Sequence, residues 1–221
     1  MTVMKIRTTA FIALLFFAAM TAASAQPHNN ISFSAGFNTE KTFGVRANYH
    51  YMFNEYLGVG AGAFCNWEAG SSSRPHGERE TVAGHIKWSS YSRVKRGGAT
   101  VSAILRMPFA GDRLSAELEP AWMVSNPYAV QTICYENTDT GEQDWEGASA
   151  RGGQWSTWLV RAGFNWHITG NIAANVSYSL TGFDTYSVAR HMEYQGTPFS
   201  GFYPQQKNLL HGFSLGVALA F

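Results

Sequence analysis

The stretch Leu209-Leu210-His211-Gly212-Phe213-Ser214-Leu215-Gly216-Val217-Ala218-Leu219-Ala220-Phe221 decides the fold. From Leu209 every second residue is apolar and mostly large, with His211 as the one exception. The interleaved Leu210, Gly212, Ser214, Gly216, Ala218 and Ala220 are mostly small. Strict period-two alternation over about ten residues predicts a β-strand with two unlike faces. A greasy face backed by a small-residue face suits a strand closing a transmembrane barrel, with lipid on one side and a narrow interior on the other.

The same alternation recurs throughout the chain. Ile31, Phe33, Ala35 and Phe37 share one parity, then Phe43, Val45, Ala47, Tyr49, Tyr51 and Phe53, then Leu57, Val59, Ala61 and Ala63. A fourth strand over 98–108 carries Val101, Ala103, Leu105 and Met107, and a fifth over 113–124 carries Leu114, Ala116, Leu118, Pro120 and Trp122. Pro120 lacks an N–H for a ladder, so a bulge is expected there. Trp158, Val160, Ala162, Phe164, Trp166 and Ile168 mark a sixth strand over 154–168, and Ile172, Ala174, Val176, Tyr178 and Leu180 a seventh. Tight turns fall near residues 54, 111 and 170, alternating with long polar segments at 68–96, 125–153 and 184–206. Within the first of these, residues 81–94 are β-friendly and are expected to extend the flanking strands. The reading is all-β: an eight-stranded antiparallel transmembrane up-and-down β-barrel over residues 26–221, with both mature termini on the side of the short turns.

The polar parity gives the barrel an interior. Setting Phe53 opposite Leu57 keeps the apolar faces together and fixes the register of that hairpin. Met52 then faces Gly58, His50 faces Gly60, Asn48 faces Gly62 and Arg46 faces Phe64, a large-against-small pattern that a narrow lumen needs. Arg46, Arg106, Glu117, Glu119 and Arg161 also lie on this parity, and the turn near residue 111 sets Arg106 opposite Glu117. Charges in a membrane barrel are costly unless paired. Because eight strands leave room for little beyond side chains, these five are expected to form a lumenal charge network that plugs the barrel rather than an ion path.

Residues 1–25 read as a signal peptide. Lys5 and Arg7 form a positive start, Ala10 to Met20 an apolar core, and Ala23-Ser24-Ala25 a cleavage site. Subtracting those two basic residues leaves 16 − 2 = 14 Lys and Arg against 15 Asp and Glu, a net charge of −1 that gives no electrostatic reason to bind nucleic acid. The alternating strands and the aromatic terminus resemble the small outer-membrane barrel proteins of the OmpA and OmpX type. That resemblance implies a cell outer-membrane location and contact with outer-membrane lipid and lipopolysaccharide. It also implies that Phe213, Leu215, Val217, Leu219 and Phe221 act as an assembly signal for the barrel assembly machinery. The implied role is structural, adhesive or surface-interacting through the external loops, with the surface ligand unspecified.

Three other readings compete: a small channel, a lipid-modifying barrel enzyme, and a soluble lipocalin-like barrel with its apolar parity inward. The Gly-, Ala- and Ser-rich polar face and the aromatics near strand ends favour the membrane. His211 and Ser214 have opposite parity, which does not suit a surface hydrolase. No catalytic residue, cofactor or metal-ligand spacing is identified, so the chain is not read as an enzyme. Cys65 and Cys134 leave a disulfide open. The 68–97 segment is basic and the 125–153 segment acidic, with Glu136, Asp139, Glu142, Asp144 and Glu146.

Overall fold

In the computed structural model, which describes residues 29–40, 42–68, 72–81, 84–110, 113–191, 193–194, 197–198 and 209–221, the alternating segments pair side by side until the last meets the first. The leader lies outside the described residues. The strands are β1 (Asn29–Asn38), β2 (Thr42–Met52), β3 (Leu57–Glu68), β4 (Ser72–Thr81), β5 (Gly84–Phe109), β6 (Leu114–Asn137) and β7 (Gln143–Arg151). They continue as β8 (Ser156–His167), β9 (Ile172–Thr181), the short β10 (Glu193–Tyr194) and β11 (Thr197–Pro198), and β12 (Leu210–Ala220). The barrel proper is β1-β2-β3-β5-β6-β8-β9-β12, antiparallel throughout, and the β1–β12 pairing (Asn30 with Ala220 through Asn38 with Gly212) closes it. Closure matters because a membrane offers no water to an unpaired strand edge.

Which parity faces outward decides between membrane and water. Phe213, Leu215, Val217, Leu219 and Phe221 are 43–63% exposed, and Phe33, Phe37, Val101, Met107, Trp122, Phe164 and Trp166 stand out on other strands. Their inward neighbours are buried and largely polar: Ser32, Asn48, His50, Thr100, Ser102, Glu119, Arg161, Asn165 and Asn175. A lipocalin-like barrel has the opposite arrangement. Strands of ten to twelve residues such as β1 and β3, tilted about 40°, span roughly 25 Å of apolar belt. Aromatics gather at both rims. Phe37, Phe43 and Trp67 pack at one, with centroids 5.2 and 4.8 Å apart. Tyr51 with Phe53 (5.5 Å) and Phe109 with Phe164 (6.4 Å) lie at the other. Such an exterior belongs in a bilayer, and an even-stranded barrel with tight turns on one rim is of the outer-membrane kind.

The β2–β3 register is the one expected: Met52 with Gly58, His50 with Gly60, Asn48 with Gly62 and Arg46 with Phe64. A Cβ at Gly60 would lie 2.6 Å from Ser102 Oγ and 2.7 Å from His50 Cδ2, so the missing side chain is what admits the imidazole. The turn that sets this register is held by Asn54, whose Oδ1 accepts from the amides of Tyr56 and Leu57 at 2.8 Å.

Two expectations are corrected. Residues 125–153 are not a polar loop: β6 runs straight through to Asn137 and turns back as β7. With β5 at 26 residues and β6 at 24, flanked by β4 and β7, the sheet continues above the belt as a four-stranded crown. Pro120 makes no bulge. Register is the same on either side of it (Ser102 with Ala121, Leu105 with Leu118), and the ladder lapses only at Ala103 and Ile104, where Pro120 has no N–H to give. The pairing of the cysteines, open in the sequence, is answered: both are free. Cys65 lies beside Gly97 and Cys134 beside Ser89 on the same strand β5. Eight residues of strand place them roughly 26 Å apart, far beyond disulfide reach.

Candidate functional site

The lumen is filled in layers, each set by the inward parity of its strands. At the level of the tight turns, Ser115, Asn165, Asn175 and His167 form a polar base. Asn175 donates to Asn165 Oδ1 at 2.7 Å, Asn165 donates to Ser115 Oγ at 3.3 Å, and Ser115 Oγ lies 3.4 Å from His167 Nε2. Among the described residues no carboxylate bonds to this Ser–His pair.

Above it come the ion pairs. Arg106 and Glu117 face each other across β5–β6, with Nε donating to Oε1 at 2.7 Å and Nη2 at the same distance. Arg161 and Glu119 face each other across β6–β8, with Nε donating to Oε2 at 2.6 Å and Nη2 bonded to the same oxygen. His50 places Nε2 3.8 Å from Glu119 Oε1. Glu119 and Arg161 are 2% and 6% exposed, so each depends on the other for the solvation that water would supply. Arg46 is on the inward parity with the other four but, among the described residues, joins neither ion pair. It lines a cavity above them.

That cavity is separated from the ion pairs in part by an apolar layer that the strand periodicity does not reveal. Phe64, Met123 and Leu159, at most 5% exposed, pack together inside the lumen against Ala121. Beyond them, a space of about 100 Å³ is bounded by Ser34, Gly36, Asn38, Thr42, Arg46, Asn66 and Arg161 among others. An adjoining space of about 40 Å³ includes Asn38, Thr42, Asn66, Arg96, Phe183 and Thr185. Arg96 is 3% exposed and stacks its guanidinium over the ring of Phe183. The sequence signal for Arg96 is its parity: it is even-numbered like Thr100 and Ser102 and therefore inward on β5. Starting that strand at Gly98 hides it.

The remaining candidates are on the outside. His211, the interruption in the apolar face of β12, is exposed on the lipid side, where the Tyr178 hydroxyl bonds to its Nδ1. Tyr178 shares that outward parity on β9, so a polar edge is satisfied without turning inward. Above the membrane, burial raises the Cys134 thiol pKa and nearby Glu136 raises it further, leaving it a poor nucleophile. No group of three His, Cys, Asp or Glu side chains among the described residues is placed to hold a metal.

No protein-family model matches the chain, and no curated protein does either. Among solved structures, the N-terminal β-barrel domain of Pseudomonas aeruginosa OprF aligns at 14% identity and TM-score 0.40, covering 89% of this chain and all of that one. Ail, the attachment invasion locus protein of Yersinia pestis, aligns at 14% and 0.42 with the same coverage. A major outer membrane protein of Thermus thermophilus aligns at 12% and 0.45, again over 89% and 100%. Likeness at this level assigns no ligand or activity. On its own closed sheet, apolar belt and polar interior, the chain is a small eight-stranded outer-membrane β-barrel.

Proposed function

We propose that this barrel conducts nothing, catalyses nothing, and serves the cell surface through its crown. The observation that carries the reading is the contrast between its two halves. The lumen holds two buried ion pairs and the packed Phe64–Met123–Leu159 cluster, while β5 and β6 continue as a paired ladder well past the aromatic rim. A barrel built to pass solutes would keep its interior open and water-filled. Here the membrane half is an anchor and the surface half an extended sheet with strands β4 and β7 at its sides. The partners that fit are outer-membrane lipid and lipopolysaccharide around the belt, the barrel assembly machinery at the β12 terminus, and a surface ligand on the crown.

The test pairs two assays on the same protein. Proteoliposomes carrying the full chain should not swell in small sugars. Cells displaying it should adhere to immobilised matrix proteins or glycans more strongly than cells whose residues 72–94 and 128–151 are replaced by tight turns. Swelling by the intact chain would favour a channel. Equal adhesion by both forms would remove the crown as the working surface, and a mass change in lipid A would point to an enzyme.

A further inference from the structure

The outer end of the lumen has an uneven charge. Among the described residues, three arginines line the two adjoining cavities, Arg46 and Arg161 the larger and Arg96 the smaller, and no carboxylate lines either. Arg161 is satisfied by Glu119. Two rim carboxylates have partners of their own: Asp184 is paired with Arg190 and also attracts Arg96 without bonding to it, and Glu40 accepts from the Tyr186 hydroxyl at 2.9 Å. Arg96 is different. It is almost fully buried, yet none of its three guanidinium nitrogens meets a hydrogen-bond acceptor among the described residues. A buried guanidinium with five donors and no acceptor is costly unless an anion answers it.

The neighbouring polar groups suit an anion. Asn38 uses its carbonyl oxygen to accept from the amides of Glu40 and Thr42, at 3.0 and 3.2 Å, which leaves its NH2 group as a donor. Thr42 and Asn66 border both cavities, so Arg46 and Arg96 line neighbouring spaces on either side of shared walls. Phe183 stacks on one face of the Arg96 guanidinium, whose three nitrogens are packed beneath the vestibule wall, so an anion meets their in-plane fork once that packing shifts. We propose that this outer vestibule is a binding site for a small oxyanion of the phosphate class, with Arg96 as its principal contact and Arg46 as its second cation. Either a free phosphate or the phosphate monoester of a sugar headgroup has this chemistry. The site is independent of whether the crown binds a surface ligand.

The experiment uses the refolded full chain in detergent at constant ionic strength, titrated separately with inorganic phosphate and with glucose 1-phosphate by calorimetry. Chloride serves as the reference anion, and the heat-dependent gel shift verifies that each variant is folded. Saturable binding of inorganic phosphate identifies a free-ion site, and binding of the sugar phosphate alone identifies a headgroup site. In either case Arg96→Gln should weaken binding about tenfold or more, as expected for loss of a charge-assisted contact. Arg46→Gln should weaken it less, and Arg151→Gln, on the exposed crown, should change nothing. Arg46→Gln also keeps the test valid should Arg96→Gln not fold. Absence of binding by both anions would overturn the proposal. So would equal weakening by Arg151→Gln, which would mark diffuse attraction to the surface.

Discussion

Removing the Glu119 carboxylate tests whether the lumen is a plug. Among the described residues, Glu119 is the ion-pair partner of Arg161 and also the carboxylate facing His50, with its side chain 3% exposed. Opposite charges about 4 Å apart at an effective dielectric near 20 attract by roughly 4 kcal/mol. Glu119→Ala forfeits that attraction and leaves Arg161 buried beside the cavity it shares with Arg46, so a loss of about 3–5 kcal/mol is expected. Glu119→Gln keeps the shape and an acceptor, and should lose less. The double variant Glu119→Ala with Arg161→Ala should lose less than the sum of the single changes, because neither charge is stranded. The assay is urea unfolding of the protein refolded into phospholipid vesicles, followed by tryptophan fluorescence, with swelling measured on the same preparations. A Glu119→Ala variant within about 0.5 kcal/mol of the parent would refute a structural pair. Full stability with new solute flux would show that the pair is a gate.

Further outcomes follow from particular contacts. Gly60→Ala should destabilise the barrel by about 1–3 kcal/mol, since the new Cβ meets Ser102 and His50, whereas Gly170→Ala, with no neighbour near its added Cβ, should be neutral in the same unfolding assay. Phe221→Ala should reduce the folded fraction in cells, read by the gel shift, more than it reduces refolding of the purified chain, because Phe221 is 63% exposed and packs little against the rest of the protein. Thiol titration of the unreduced, denatured protein should find both cysteines, and migration should be the same with and without reductant. Loss of one thiol pair would contradict the placement of Cys65 and Cys134 along β5.

What is legible in the sequence is whatever a tight turn or a two-sided environment fixes. The Phe53–Leu57 turn defines four cross-strand pairs, and the turn near residue 111 defines Arg106 with Glu117. Glu119 with Arg161 is not deducible as a pair, because a long external excursion separates β6 from β8 and leaves their register free. The crown is legible only in its first arm, where residues 81–94 read as β-friendly and form the outer part of β5, and the β6–β7 arm is hidden for a related reason. Above the belt neither face of a strand meets lipid, so residues such as Gln131, Thr132 and Glu136 show no apolar period although they form a continuous ladder. Arg96 and Phe183 sit at the edges of polar segments, and their stacking needs two parts of the chain far apart in sequence. His211 reads as a flaw in the closing strand, and only the neighbouring strand, through Tyr178, shows how it is satisfied.

One register runs without a slip from Phe109–Leu114 beside the inner turn to Ile86–Asn137 near the tip, so the β5–β6 hairpin is a single ruled scale from membrane to surface. A one-residue insertion in either arm would swap inside for outside in every residue beyond it. A lineage under pressure to alter this surface can therefore substitute side chains freely, or lengthen both arms in matched steps of two, but cannot drift by single-residue indels as a flexible loop can. Variation among natural isolates should then be rich in replacements and sparse in odd-length gaps along this hairpin.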